Sequence, residues 1–139
     1  MVWRSQWLSL AIVLFATACS EAPLGSMEDL NKQMDALDVP ASMVELDQTY
    51  MKDCPSTCPM LVRWYDVSGQ VETIRADLLS RIESAGASVN ESSASRDILS
   101  ARSEEHLFFV VLDFEMISGN TYAPPGADAE ISVHALSDS

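Results

Sequence analysis

His106-Leu-Phe-Phe-Val-Val-Leu-Asp-Phe-Glu-Met-Ile117 is the stretch on which the reading of this fold turns. From Leu107 to Leu112 every position is apolar, not every second one, which predicts a central strand covered on both faces. Such a strand needs neighbours beside it and at least one layer above it. The clearest candidate for that layer follows Ser68, which is placed to cap a helix. Val71, Ile74, Leu78, Ile82 and Ala85 recur at three- and four-residue steps, with Leu79 alongside. Glu72, Arg75, Asp77, Arg81 and Glu83 fill the other face, and Gly86 supplies the stop. Burying each large side chain of that stripe contributes roughly 1.5–3 kcal/mol, so the helix must pack on the sheet.

The remaining elements fall on either side. Residues 43–53 alternate moderately, with Val44, Leu46 and Tyr50 to one side, and Leu61 to Val67 is a stronger strand candidate. The proline-rich cysteine segment between them predicts a hairpin turn. Residues 87–91 and 98–102 read as further strands, and residues 130–136 as a last one, with Ile131, Val133 and Ala135 together. Near the start, Ser26 with Asp29 three positions on predicts a helix cap; Met27, Leu30, Met34 and Leu37 share a face, and Pro40 closes it. The order α-β-β-α-β-β-β-β predicts an α+β domain: a single antiparallel sheet with one long amphipathic helix packed on one face, plus a short N-terminal helix.

The first nineteen residues belong to a different kind of segment. Arg4 precedes an apolar run from Leu8 to Ala16, and Ala16-Thr17-Ala18-Cys19 follows. A charged start, a short apolar middle and small residues at a cut are the layout of an export signal. A helix over that run would cover only roughly half of a ~30 Å hydrocarbon core, too little for a stable span. With a cysteine directly after the small residues, the segment resembles a bacterial lipoprotein precursor, although Ala16 stands where that family more often has Leu. The resemblance implies removal of residues 1–18, a diacylglyceryl thioether on Cys19 and a further acyl chain on its new amino group. One acyl chain binds a membrane only marginally, so two or more matter, each CH₂ adding about 0.8 kcal/mol. Ser20, in place of the Asp associated with retention at the inner membrane, implies the outer membrane in a two-membrane cell. The expected organisation is therefore a signal peptide over 1–18, a lipidated tether over 19–26 and one domain over 27–139, located in the cell envelope.

Without residues 1–18 the chain keeps seven basic and 21 acidic side chains, a formal −14. Such an excess argues against nucleic acid and against docking on anionic lipid by charge. It favours solubility, and a basic protein partner if charge drives an association. The acids are spread along the chain, which fits a solvated surface.

Cys54 and Cys58 are the remaining cysteines, in Cys54-Pro55-Ser56-Thr57-Cys58-Pro59. In an exported protein an even pair normally oxidises, and this spacing around a turn brings two sulfurs into range, so a disulfide is expected. The motif also looks like the Cys-x-x-x-Cys-Pro element of the Sco-type copper chaperones, which implies an alternative Cu(I) site on Cys54, Cys58 and His134. In that family the motif opens a helix of a thioredoxin fold, whereas here a strand-like segment follows. Asp113 and Glu115 share a strand face roughly 7 Å apart, which would suit paired-carboxylate or calcium chemistry but equally an exposed strand end. His106 and His134 read as surface or satisfied side chains. Trp64 and Tyr65 must face opposite ways, one into the core and one toward a contact surface that Tyr122 would join. No nucleophile elbow or phosphate loop appears. The expectation is a membrane-anchored, non-catalytic binding or scaffolding module with no cofactor. The alternatives are the copper handler and an immunity or inhibitor lipoprotein whose acidic surface meets a basic target.

Overall fold

A computed structural model describes residues 22–54, 58–90, 98–112, 117 and 122–136. Two helices, α1 (Met27–Ala36) and α2 (Val71–Ser84), accompany six strands. These are β1 (Met43–Met51), β2 (Met60–Val67), β3 (Ser88–Val89), β4 (Ile98–Arg102), β5 (His106–Val111) and β6 (Ala129–Ala135). They form one sheet in the order β1-β2-β6-β5-β4-β3, and every neighbouring pair is antiparallel. The chain makes the β1–β2 hairpin, crosses the sheet through α2, and returns from the far edge as a four-strand meander that seats β6 against β2.

Register decides which residues meet. Leu61 pairs with Val133 and Tyr65 with Ala129 across β2 and β6, while Phe108 faces Val133 and Val110 faces Ile131 across β5 and β6. These side chains point to one face. There Leu30, Met34 and Leu37 from the α1 region and Ile74, Leu78 and Ile82 of α2 close the main core. The opposite face is covered too, since Val62 and Trp64 are buried with Ile117 and Ala127.

The expected hierarchy of one long helix with a short N-terminal helix is overturned. The helices have 10 and 14 residues, neither is long, and strand exceeds helix at 38% against 26% of the described residues. The reason is width. Six strands about 4.8 Å apart span about 24 Å between the outer axes, and a helix is only about 10 Å across. Two comparable helices therefore divide the face, α1 lying over β2 and β6 and α2 reaching β3. α2 ends where Gly86 adopts φ +96°. The Gly86 and Ala87 amides then donate to the carbonyls of Glu83 and Ile82, at 3.0 and 3.2 Å, a Schellman stop.

Other boundaries shift. Ser26 Oγ accepts from the Asp29 amide and caps α1, but α2 begins at Gln70, which makes no side-chain cap, and not at Ser68. β5 stops at Val111, short of Ile117. In β1 a bulge lies between Glu45 and Asp47, so Leu46 has no partner and, like Val44, is exposed. Arg63, half-buried on β2, ties the layers together by reaching Asp35 and Asn31 of α1 and Glu45 and Gln48 of β1.

Candidate functional site

The two ends of the sheet differ in chemistry. At one end lie the β1–β2 turn, the β4–β5 turn and the finish of β6; at the other, the β2–α2 junction and the start of β6.

At the second end, Val67, Gly69, Val71, Ile74, Leu112 and Asp128 line a recess of about 230 Å³. It lies where the chain leaves β2 for α2, with Leu112, the residue after β5, among its walls. Asp128 is fixed at its rim: its amide donates to the Tyr65 carbonyl at 2.8 Å, and its Oδ2 accepts from the Val67 amide at 3.2 Å. Asp66 stands next to it. A hydrogen bond shared with Asp128 holds the Asp66 carboxyl above its ordinary value, with desolvation and the Asp128 charge adding to the effect. The recess thus offers apolar walls and the Asp128 carboxylate at the rim, a lining suited to holding an apolar group with a cation beside it.

The first end holds a polar cleft of about 390 Å³ lined by Ala22, Leu24, Asp29, Lys32, Gln33 and Glu105. Behind it, Asp29 and His106 are buried together, with His106 Nε2 donating to Asp29 Oδ2 at 2.8 Å. The Gly25 amide donates to the same oxygen at 2.9 Å. This arrangement joins the chain before α1, the first turn of α1 and the start of β5.

The residues singled out in the sequence are distributed as follows. Cys54 and Cys58 form a disulfide, Cα–Cα 5.2 Å, just beyond the Met51–Met60 pair that ends the hairpin. His134 lies buried on β6, paired with Met60 across the ladder; its Nε2 is 3.2 Å from Ser132 Oγ and its ring stands edge-on to Phe109 at 5.5 Å. Among the described residues no three of His, Cys, Asp and Glu converge as a metal site. Cys19, Asp113 and Glu115 lie outside the described residues. Trp64 and Tyr65 do face opposite ways, but both are buried, so neither marks a contact surface. Trp64 Nε1 donates to Glu130 Oε2 at 2.9 Å, and burial pushes the Tyr65 phenol above its ordinary value against the opposing influence of Arg63. Tyr122 is exposed.

Sequence reading missed the recess, the Asp66–Asp128 pair and the Asp29–His106 contact. The partners in the last are 77 positions apart, and no spacing rule links them. No helix among the described residues is long and apolar enough to cross a membrane. The chain matches no family model, and no curated protein or solved structure is similar to it.

Proposed function

We propose that this is a lipid-anchored envelope protein whose domain binds a partner and does not catalyse a reaction. The anchor is Cys19, exposed by removal of residues 1–18, and in a cell with two membranes its place is the outer one. The observation that carries the binding role is the apolar recess with Asp128 at its rim and Asp66 hydrogen-bonded to Asp128. A protein segment that inserts one apolar side chain and lays a Lys or Arg on the carboxylates fits both parts. The strongly acidic chain, −13 overall, supports the same kind of partner by drawing basic surfaces toward it.

Two experiments test the proposal. Native protein is expected in the detergent-rich phase on cloud-point partition, and a Cys19→Ser variant in the aqueous phase; native protein in the aqueous phase refutes the anchor. Capture from envelope extracts is expected to retain a basic protein that salt releases, and Asp128→Asn combined with Val71→Glu to abolish that retention. Unchanged retention by the double variant removes the recess from the proposal.

A further inference from the structure

The chain before α1 is built into the folded body from Pro23 onward. Ser26 donates its amide to the Pro23 carbonyl at 3.1 Å, closing a turn. Gly25 is buried at φ +81°, its amide on Asp29 and its carbonyl accepting from Tyr50 Oη at 2.8 Å. A Cβ on Gly25 would come within 2.6 Å of Pro59 Cγ, so the backbone lies directly against the base of the β1–β2 turn. All of these contacts are at one end of the sheet. The Ala135 amide meets the Pro59 carbonyl there, and the Leu136 amide meets that of Glu105.

Resting on the proposed attachment at Cys19, this fixes the length of the connection. Four residue steps separate Cys19 from Pro23, at most about 14 Å when fully extended. A domain of this size is about 35 Å across, taken from a radius of gyration near 13 Å for about 100 residues. A leash that short cannot let the body turn end over end. The described ion pairs of the basic side chains engage Arg63 and Arg81, whereas Lys32, Lys52 and Arg102, at the end that holds Gly25, are exposed and take part in none of them. Glu28, Asp53, Glu83, Glu104 and Glu105 stand at the same end, so the leash and not net charge sets the orientation.

We infer that the end of the sheet bearing Gly25, Lys52 and the β4–β5 turn is seated on the phosphate layer of the bilayer. The end bearing the recess is thereby turned away from the membrane. The surface is not a recognition site for one lipid; it is a seat set by a short leash.

The test uses the full chain, lipidated in cells and reconstituted in vesicles of phosphatidylethanolamine and phosphatidylglycerol. A donor dye is placed at Glu104→Cys or at Glu72→Cys, both exposed, with the native disulfide intact, and an acceptor is carried on lipid headgroups. Transfer from position 104 is expected to exceed that from position 72 by at least about twofold, given a body about 35 Å across. A flexible Gly/Ser insert of about twenty residues after Ser20, with an r.m.s. reach of about 25 Å, is expected to erase the difference. Intact mass reports acylation in the same samples. Acylated protein with equal transfer from both positions overturns the orientation alone; protein without acyl chains overturns the anchor and the orientation together.

Discussion

Removing the Asp29 carboxylate is the perturbation with the most to reveal, because one oxygen holds three parts of the chain. Asp29 Oδ2 accepts from His106 Nε2 at 2.8 Å and from the Gly25 amide at 2.9 Å, in a site where His106 is buried. In Asp29→Ala both donors lose their acceptor. A buried donor left unsatisfied costs about 1–3 kcal/mol, so two cost about 2–6 kcal/mol if the site stays dry. The Ser26 cap on the Asp29 amide survives, since it uses backbone of residue 29. Urea unfolding at neutral pH is the assay. With a slope near 1.5 kcal/mol/M the midpoint should fall by about 1–4 M with no change of slope. Asp29→Asn keeps one acceptor oxygen and should lose about half as much. A loss below about 1 kcal/mol in Asp29→Ala would refute the reasoning, since it would mean that water satisfies both donors.

Three further outcomes are expected. Gly25→Ala should destabilise the fold by about 1–3 kcal/mol in thermal or urea melts, because the new Cβ meets Pro59 and φ is +81°; a neutral result would mean that the turn at Pro23 is loose. Opening the Cys54–Cys58 bridge by Cys54→Ser with Cys58→Ser should cost about 2 kcal/mol, the loop-closure value for so short a ring, and leave the circular-dichroism spectrum intact; no change in melting would place the bridge outside the cooperative unit. Asp66 has a folded value raised above its unfolded one, so its contribution is present below the ordinary carboxylate value and is lost as pH rises through the raised one. Asp66→Asn should therefore gain on the native protein at neutral pH, with the gap closing in acid; parallel stability–pH curves would remove the shared hydrogen bond.

What sequence could reveal depended on how local the cause was. Leu107 to Val111 announced an interior strand, because apolar side chains at consecutive positions demand cover, although only the face of Phe108 and Val110 is fully buried and Leu107, Phe109 and Val111 stay half-buried. The stop at Gly86 and the cap at Ser26 are likewise decided within one turn of chain. Proportions were not local. The number of helices the face needs follows from a sheet six strands wide, and that width exists only after β6 has paired with β2. The alternation of Val44 and Leu46 looked like one buried side, but a bulge between Glu45 and Asp47 leaves Leu46 unpaired and both side chains exposed. One of Trp64 and Tyr65 was expected at a contact surface, but Trp64 is covered by Ile117 and Ala127, which come from far along the chain. The recess was invisible for the same reason, since its walls come from the β2–α2 junction, the end of β5 and the approach to β6.

The two outermost strands of the sheet carry a consequence for life in a crowd. β3 has two residues, and β1, though nine long, is interrupted by its bulge and flanked by Glu45 and Asp47. A straight, uncharged rim would invite a neighbouring copy to add its own strand and begin a polymer; these rims give it too little length on one side and a kinked, negative line on the other. Copies at high local concentration can therefore be packed densely and still remain separate molecules.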